Sequence, residues 1–463
     1  MCVGEAIMKT RVIMPIEDVE TSKTSYKEVN KGLTYTQAKL EAERCLQCIH
    51  QPCVSGCPVN IDIPGFIKKI TEDKIDEALH IILDKNALPS VCGRVCPQEI
   101  QCEAKCVYAK TNQPIAIGYL ERYVGDHGHV SIDQSKNNKG KVAVVGGGPA
   151  GIACANALAL ADVEVTIYDT WDKCGGVLYY GIPNFRLPNK VIEKESKRLL
   201  ERGVTFEKNI IIGVSMPLES LFDQGYQAIF LATGAGLPSL PKISNSDAIG
   251  VFSANEYLTR LNVFAANQQD HATPLYQGKK VLVIGGGNVA MDAARSAIRQ
   301  QAEVTIVYRR LQKDMPARLE EVEHAISEGV IIKERLSPIN ILSDPLGYVK
   351  AVEFEQNKVD GVDEKGRSII VKDNDAPLVT LEADMVLIAV GTKPNRLLSK
   401  YKDKIKTDKY GCIVVDENMQ TTMTNVFAGG DAVLGAATVI LALGQGQKAA
   451  KHILSSLNKT SKI

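Results

Sequence analysis

The chain has 463 residues, of which 45% are hydrophobic and 23% are charged, so it is long enough for about two to four domains of ordinary globular composition. Its 54 basic and 54 acidic residues give a formal net charge of zero, which provides no overall attraction to nucleic acid or to an anionic membrane. Because the sequence shows neither a signal peptide nor an apolar stretch of about 18 residues, we expect a cytoplasmic protein without a membrane partner.

The first distinctive feature along the chain is a group of cysteines. Eight of the 12 cysteines lie between Cys45 and Cys106. Cytoplasmic thiols are kept reduced, so this grouping indicates metal binding or redox chemistry rather than disulfides. Residues 35–46 and 63–83 in the same region have the apolar spacing of helices. We therefore predict a helical domain over residues 1–138, with the polar run 131–139 as a linker.

The eight cysteines form two closely spaced runs. The runs are Cys45-x2-Cys48-x4-Cys53-x3-Cys57-Pro58 and Cys92-x3-Cys96-Pro97-x4-Cys102-x3-Cys106. Thiolates at this spacing favour two 4Fe-4S clusters, and the rule that a cysteine before proline ligates the other cluster of a pair suggests that Cys57 crosses over. Two structural zinc sites, in a binding or scaffold protein, would use the same eight residues and stay an alternative.

A first dinucleotide-binding pattern begins at Lys141, as KVAVVGGGPAGIACANALAL. Gly146, Gly148 and Gly151 follow an apolar strand and open a helix. Glycines at these positions permit a tight turn, close approach of a pyrophosphate to backbone N–H groups, and close helix packing. Asp169 ends the next strand about 20 residues on, where a carboxylate accepts hydrogen bonds from a ribose.

The same pattern recurs as KVLVIGGGNVAMDAARSAIR. Here Ala290 replaces the third glycine, which is an accepted variant. The next strand ends with Arg309 and Arg310, where the first pattern has an acid. Because arginine binds a 2′-phosphate bidentately, whereas a free ribose prefers a carboxylate, this pair predicts NADPH rather than NADH. Two solvated arginines after a strand are the alternative interpretation.

The order of these patterns predicts the architecture. Apolar strands at 228–234 and 385–391 end in small-residue turns and mark where the chain passes between the two units. The stretch from residue 426, which includes VFAGGD, has no nucleotide pattern of its own and is expected to complete the first unit. The predicted fold class is α/β: a helical iron-sulfur domain followed by two Rossmann-like dinucleotide-binding domains, the second inserted in the first. The predicted boundaries are 139–277 and 395–463 for the two parts of the FAD-binding domain, and 278–394 for the NAD(P)H-binding domain.

One further cysteine stands near the first nucleotide pattern. Cys174 precedes Gly175 and Gly176, where flavin disulfide reductases begin a redox pair, but Tyr179 occupies the place of the second cysteine. Disulfide chemistry at the flavin is therefore not expected, and Cys174 is interpreted as a small packed residue. Because no catalytic triad, carboxylate pair or metal-water motif is evident, we predict no acid-base residue.

Several stretches together resemble a known family. They are RCLQCIHQPCVSGCPV, CGRVCPQEIQCEAKC, IAIGYLERYVGD, CGGVLYYGIPNFRLP, GGGNVAMD, YRR, MPA and AGGD. The chain resembles the small (beta) chain of bacterial NADPH-dependent glutamate synthase over almost its whole length, and it is similar to the large subunit of NADH-dependent ferredoxin:NADP oxidoreductase and the N-terminal half of dihydropyrimidine dehydrogenase. The resemblance implies an oxidoreductase that moves electrons from NADPH through FAD to 4Fe-4S clusters.

The resemblance also implies a partner. In an oligomer, the glutamate synthase large subunit or another electron-accepting subunit, such as a ferredoxin-linked flavoprotein, would receive the electrons. A bifurcating or ferredoxin-linked NADP oxidoreductase subunit, or a sulfide or polysulfide reductase, would use the same electron path and stays an alternative.

Finally, the resemblance implies which residues hold each group. One cluster would be held by Cys45, Cys48, Cys53 and Cys106, and the other by Cys57, Cys96, Cys102 and Glu121. This assignment leaves Cys92 over and departs from the all-cysteine interpretation. FAD would use Gly146, Gly148, Ala150, Gly151, Asp169, Gly176, Arg186, Gly430 and Asp431. NADPH would use Gly285, Gly287, Asn288, Val289, Arg309 and Arg310.

Overall fold

The amino-terminal part of the protein is helical. The structure, a computed structural model, describes residues 10–268, 270–364, 366–395, 397–398, 401 and 403–460. The first helices are α1 (Val19–Thr24), α2 (Tyr35–Ala42), α3 (Pro52–Gly56), α4 (Ile63–Thr71), α5 (Ile75–Leu83), α6 (Pro89–Val95) and α7 (Ile117–His127). We refer to residues 10–127 as the amino-terminal part.

Local sequence explains where these helices begin. Thr34 and Gln37 form a capping box at the start of α2, which satisfies backbone N–H groups that lack a helical partner. Asp62 Oδ1 accepts a hydrogen bond from Gly65 N at 3.0 Å and caps α4 in the same way. Proline stands in the first turn of α3, α4 and α6, where its missing N–H costs nothing. The apolar faces of α4, α5 and α7 then pack into a common core.

Strands and helices alternate from residue 141 onward. The strands are β1 (Lys141–Val145), β2 (Glu164–Tyr168), β3 (Thr205–Glu207), β4 (Ala228–Leu231), β5 (Leu237–Pro238), β6 (Val251–Ser253), β7 (Lys280–Ile284), β8 (Glu303–Tyr308), β9 (Ile331–Glu334), β10 (Leu336–Ser343), β11 (Val349–Val362), β12 (Ser368–Lys372), β13 (Val379–Glu382), β14 (Met385–Ile388), β15 (Thr392–Lys393) and β16 (Val426–Ala428). The helices are α8 (Pro149–Leu160), α9 (Val177–Tyr180), α10 (Asn189–Glu201), α11 (Ser220–Asp223), α12 (Ala254–Asn262), α13 (Asn288–Arg299), α14 (Leu319–Ser327), α15 (Asp431–Leu434) and α16 (Val439–Thr460).

The first unit is built on a parallel sheet with strand order β16-β4-β1-β2-β3. Strands such as AIFL in β4 are buried at every position, as expected where helices cover both faces of a parallel sheet. Val426 of β16 pairs with Ile229 of β4. The chain from residue 426 therefore completes the first sheet, as the sequence predicted.

The second unit is built on another parallel sheet, with strand order β6-β14-β7-β8-β9. Its strands lie between those of the first sheet in the sequence, so the second unit is inserted in the first. Val251 of β6 pairs with Val386 of β14. Strand β6 therefore belongs to the second sheet although it precedes residue 278, the boundary proposed from the sequence.

Two features connect and extend these units. A small antiparallel sheet, β10-β11-β12 with β13 also paired to β11, lies between β9 and β14 in the sequence and had no counterpart in the sequence prediction. Strands β5 and β15 pair with each other where the chain leaves the first unit and returns to it. Among the helices in the described part of the chain, none combines the length and hydropathy needed to cross a bilayer.

Candidate cofactor and electron-transfer sites

The glycines of the first nucleotide turn have different physical roles. Gly146 has φ 111°, and a Cβ there would lie 2.3 Å from the carbonyl oxygen of Ala232. A Cβ on Gly151 would lie 1.9 Å from the carbonyl oxygen of Gly146. Gly148, by contrast, has no heavy atom within 4 Å of its Cβ position. Two glycines thus close the turn, while Gly148 leaves open space at the start of α8, where a pyrophosphate would fit.

Asp169 stands beside this turn, as the sequence predicted. Its carboxylate accepts hydrogen bonds from the backbone N–H groups of Gly147 at 2.5 Å and Trp171 at 2.9 Å. Burial raises the pKa of Asp169, and these backbone hydrogen bonds oppose that effect. The carboxylate is therefore held in a fixed orientation at the end of β2, where it can accept further hydrogen bonds from a ribose.

The first nucleotide turn opens into a cavity of about 940 Å³, a size suited to a large organic cofactor. Of the residues predicted to bind FAD, those that line the cavity are Gly146, Gly148, Ala150, Asp169, Gly176, Arg186, Gly430 and Asp431. Gly151 supports the turn from behind. A Cβ on Gly176 would lie 2.9 Å from Gly148 Cα, and one on Gly430 would lie 2.7 Å from Ala150 Cβ. The segments around Gly148, Gly176 and Gly430 are distant in the sequence but approach closely here. The cavity that they line together fits a dinucleotide.

Trp171 is a cavity residue that the sequence analysis did not identify. Its ring stacks on that of Tyr180 with centroids 5.6 Å apart, and both residues line the cavity. Its position two residues after Asp169 is the one sequence signal that could have indicated it. The pair gives the cavity a flat aromatic wall next to the Asp169 carboxylate.

Arg186 lines the cavity, but its guanidinium is paired with acids of the second unit. Its Nη1 lies 2.8 Å from Asp292 Oδ2, and its Nε lies 3.2 Å from Glu321 Oε1. Burial raises the pKa of Asp292 to about 7 despite the nearby arginine. Burial also acts to raise the pKa of Glu321, but Arg186 and Arg295 outweigh it and lower that pKa to about 2. Of the two carboxyl groups, Asp292, which also lines the cavity, is therefore the one that protonates more readily.

The second nucleotide turn has the same construction as the first. Gly285 has φ 146°, and a Cβ there would lie 2.2 Å from the carbonyl oxygen of Ala389. The nearest heavy atom to the Cβ position of Gly287 is 4.0 Å away. Asn288 and Val289 begin α13 and line the same cavity as Gly148. Both nucleotide turns therefore border one cavity, which brings the two predicted cofactor sites together.

The two arginines after β8 differ in their surroundings. Arg309 is exposed. Arg310 is partly buried, and its Nε donates a hydrogen bond to the carbonyl oxygen of Ser368 at 3.0 Å. Arg309 is therefore available to a phosphate, whereas Arg310 also supports the neighbouring strand β12.

The first predicted cluster set comes together in the amino-terminal part. A cavity of about 30 Å³ is lined by the four cysteines of this set, Cys45, Cys48, Cys53 and Cys106. Its other lining residues are mainly apolar and belong to α4 and to the segments near Cys45 and Cys106. Burial raises the pKa of Cys53 to about 11, and a metal that binds there would displace the thiol proton. Four thiols around a small apolar space fit a 4Fe-4S cluster.

The second predicted set is buried more deeply. Cys57, Cys96, Cys102 and Glu121 are all buried. Burial, helped by the neighbouring Glu121 and Cys96, raises the pKa of Cys57 to about 11. No His, Cys, Asp and Glu group in the described residues is compact enough for a single metal ion; a 4Fe-4S cluster takes a wider set, because each iron binds its own ligand.

Asn86 contacts both candidates for the fourth ligand of the second set. Its Nδ2 donates to Glu121 Oε1 at 2.8 Å, and its Oδ1 accepts from the thiol of Cys92 at 3.7 Å. Burial raises the pKa of Glu121 to about 8. The choice of Glu121 over Cys92 stays a prediction from the resemblance.

The second set adjoins the large cavity. Val95 and Pro97, the neighbours of Cys96 in the sequence, both line it. This contact was not predicted, because it depends on how α6 packs against the two units. The Cys96 set thus adjoins the large cavity, whereas the Cys45 set borders its own smaller cavity.

Comparison with known proteins gives the same division of the chain. A family model described as dihydropyrimidine dehydrogenase domain II, 4Fe-4S cluster, matches residues 22–131. A second, described as pyridine nucleotide-disulphide oxidoreductase, matches residues 140–446.

Among solved structures, FprA from Mycobacterium tuberculosis in complex with NADPH has a TM-score of 0.58 at 17% identity over 70% of this chain and 85% of that one. Thioredoxin reductase from Lactococcus lactis has a TM-score of 0.51 at 20% identity over 69% of this chain and 99% of that one. These structures share the fold of the two units.

Curated small chains of glutamate synthase match over nearly their whole length. The glutamate synthase [NADPH] small chain of Escherichia coli (strain K12) is 34% identical over 96% of this chain and 97% of the relative. That of Azospirillum brasilense is 34% identical over 92% of this chain and 91% of the relative. The NADP(+)-dependent formate dehydrogenase subunit beta of Moorella thermoacetica is 34% identical over 87% of this chain but 59% of the relative. The cysteine sets, both nucleotide turns and the full-length match agree, and the chain belongs to the glutamate synthase small-chain family of pyridine nucleotide-disulphide oxidoreductases.

Proposed function

We propose that this chain is the NADPH-oxidising subunit of a glutamate synthase, moving electrons from NADPH through FAD and two 4Fe-4S clusters to a partner subunit. The observation that supports this most strongly is the shared cavity. Gly148, Asn288 and both neighbours of Cys96 line one cavity of about 940 Å³. A nicotinamide, a flavin and the nearer cluster would therefore lie side by side.

The residues of the chain bind and orient the cofactors. The open space at Gly148 and the amino-terminal end of α8 suit the FAD pyrophosphate, and Asp169 suits the adenosine ribose. Asn288 and Val289 offer the same helix end to NADPH, and Arg309 suits the 2′-phosphate. FAD, when bound, accepts hydride as two electrons and releases them singly. The Arg186–Asp292 ion pair at 2.8 Å fixes the first unit against the second where the two sites meet.

The partner is proposed from the names of the relatives. Those matched over nearly their whole length are small chains of glutamate synthase, so we propose a cytoplasmic complex with the glutamate synthase large subunit. The formate dehydrogenase subunit and an NADPH-Fe(3+) oxidoreductase subunit of Geobacter sulfurreducens are equally similar at 34% identity. The chain spans 59% and 63% of those relatives, so an NADP-linked subunit of another complex is the second candidate.

Anaerobic purification tests the cofactor content. We expect about eight iron and eight sulfide per chain, together with FAD, because the two ligand sets each fit one cubane. Cys412→Ser is the matched control, since Cys412 is buried but belongs to neither set. Zinc without acid-labile sulfide would contradict the proposal. Co-purification of a large amidotransferase would support the glutamate synthase assignment, and co-purification of a dehydrogenase subunit would favour the second candidate.

A further inference from the structure

Arg318 links the second unit to the loop that carries Cys96. Its side chain is 7% exposed. Nη1 donates a hydrogen bond to the carbonyl oxygen of Arg94 at 2.7 Å, and Nη2 donates to Gln98 Oε1 at 3.0 Å. These acceptors stand two residues before and two residues after Cys96. One guanidinium therefore holds both ends of the loop around a predicted cluster ligand.

The same residue contacts the second nucleotide turn. The backbone N–H of Arg318 donates to Asn288 Oδ1 at 3.0 Å, and Asn288 begins α13 at the edge of the cavity. Arg318 is thus bonded through its backbone to the proposed NADPH site and through its side chain to the Cys96 loop. Neither contact is expected from the sequence, because Arg318 is 30 residues from Asn288 and 224 residues from Arg94 along the chain.

Gln98 extends the connection towards the other ligands. Its Nε2 donates to the carbonyl oxygens of Cys92 at 3.1 Å and Gly93 at 3.3 Å. A Cβ on Gly118 of α7 would lie 2.3 Å from this Nε2, so Gln98 packs directly between α6 and the helix that carries Glu121. Movement of the Arg318 guanidinium would therefore disturb the loop between both helices.

Four acids act on the Arg318 guanidinium: Glu320 and Glu99 lie within ion-pair distance, and the buried Glu321 and Glu103 act from further away. Nη2 lies 3.1 Å from Glu320 Oε2, and Nε lies 3.5 Å from Glu99 Oε1. The side chains of Glu320 and Glu99 are 19% and 35% exposed, so solvent screens them more than it screens the arginine. Arg318 offsets these acids, so without its guanidinium the surroundings of Cys96 would lose one positive charge.

We propose that Arg318 is a positioning residue that fixes the Cys96 loop against the second unit and, by its buried positive charge, raises the reduction potential of the cluster bound there. The inference rests on the proposed function, because it requires a cluster at Cys96. A reduced cluster carries one more negative charge than an oxidised one, so a nearby cation stabilises the reduced form. The cluster at Cys96 would thus accept electrons from the adjoining cavity more readily.

The test compares Arg318→Gln, Arg318→Lys and the control Lys280→Gln in the full, cluster-loaded chain. Lys280 begins β7, at the end of the strand away from Gly285, and its side chain is 51% exposed. Cluster potentials are measured by EPR-monitored titration with dithionite. Arg318→Gln should make reduction of one cluster about tenfold less favourable, which is 59 mV for one electron, without changing the other. Arg318→Lys should stay closer to the unmodified potential, because it keeps the charge but loses the double hydrogen bond.

Other outcomes are also informative. Loss of about half the iron from Arg318→Gln, with FAD content and melting temperature kept, would support the fixing role. Potentials in Arg318→Gln equal to those of Lys280→Gln would overturn the proposal, as would joint loss of FAD, iron and thermal stability. The iron content of the unmodified chain tests the proposed function separately from the role of Arg318. Four iron per chain would contradict the second cluster of the proposed function, independently of the Arg318 variants.

Discussion

Gly148 and Gly151 lack a side chain for different physical reasons. A methyl group on Gly148 would enter open space at the cavity, whereas one on Gly151 would lie 1.9 Å from a backbone oxygen. Gly148 has φ −75°, which any residue adopts, so its backbone tolerates substitution. We therefore expect Gly148 to be required by the ligand, whereas Gly151 is required by the fold.

This difference gives the first prediction. Without FAD, Gly148→Val should have the melting temperature of the unmodified chain. Its affinity for FAD should fall by on the order of tenfold or more, because the new side chain occupies the space proposed for the pyrophosphate. Gly151→Ala should lower the melting temperature itself, because the turn must open. The measurements are flavin absorbance per chain and thermal unfolding of FAD-stripped protein. Normal FAD content in Gly148→Val would contradict the proposed position of the pyrophosphate.

The second prediction concerns the exposed Arg309. Arg309→Ala should lower kcat/KM for NADPH by on the order of tenfold, because a charge-assisted hydrogen bond to a 2′-phosphate contributes about 1.5–3 kcal/mol, and it should leave NADH use nearly unchanged. Arg310→Ala is the comparison: it also breaks the 3.0 Å hydrogen bond to Ser368, so we expect some loss of stability. Equal loss of activity with both coenzymes in Arg309→Ala would mean that the arginine contacts the shared pyrophosphate.

Residues close together in the sequence were predictable, and residues joined only by packing were not. The glycine turns and Asp169 follow directly from the order strand, turn, helix, strand, because the backbone brings them together locally. Arg318, Asn86 and Val95 reach their partners across tertiary contacts. Their residue types carry no signal alone, since buried arginines and asparagines also serve ordinary packing.

At the scale of elements, helices α8 and α16 approach each other closely beside the large cavity. A Cβ on Gly446 of α16 would lie 2.1 Å from the carbonyl oxygen of Ala150 in α8. Ala150 itself lines the cavity. The separation of these two helices therefore sets the shape of the cavity wall.

The third prediction follows from this contact. Gly446→Ala should lower the free energy of unfolding by about 1–3 kcal/mol, because the helices must separate, and should weaken FAD retention. Gly444→Ala is the matched control on the same helix: its Cβ would meet Val59 Cγ1 at 3.2 Å, a contact with a side chain, and alanine gains about 1 kcal/mol of helix propensity. Denaturant unfolding of both variants checks the prediction. Equal stability of the two variants would contradict the role of the close approach.

Elements were predictable to different degrees. The long buried runs of β1, β4, β7 and β14 gave clear signals, and the pairing of β16 followed from the lack of another nucleotide turn. Strand β6 has three residues, too few for a period to be read. Strand β11 is mostly polar in its second half, so the antiparallel sheet lacks the apolar pattern that marks a buried strand.

At the scale of the whole molecule, the positions of the two cavities predict an order of electron transfer. Cys96 lies between two residues of the cavity wall, while Cys53 borders a separate small cavity. In Cys96→Ser, NADPH should reduce the flavin but not the remaining cluster. In Cys53→Ser, NADPH should reduce both the flavin and the remaining cluster, and electron delivery to a partner should fail. Stopped-flow absorbance follows the flavin, and EPR of samples frozen after NADPH addition follows the clusters.

The control for this fourth prediction is Cys412→Ser, which lies outside both sets. Its flavin and cluster signals should match those of the unmodified chain. Rapid reduction of the remaining cluster in Cys96→Ser would reverse the order. Unchanged turnover with the native acceptor in Cys53→Ser, despite a missing cluster, would show that electrons leave without using the Cys45 set.

The insertion of the second unit also determines the sequence of events during synthesis on the ribosome. All strands of the second parallel sheet come from residues 251–388, whereas the first sheet needs β16 and the FAD cavity needs Gly430 and Asp431. Domains generally fold as units while the chain emerges. The second unit is thus fully synthesised while the large cavity still lacks the part of its lining that includes Gly430 and Asp431. A nascent chain halted after residue 425 would carry all strands of the second sheet but no closed flavin site, so we expect flavin insertion to follow completion of the second unit.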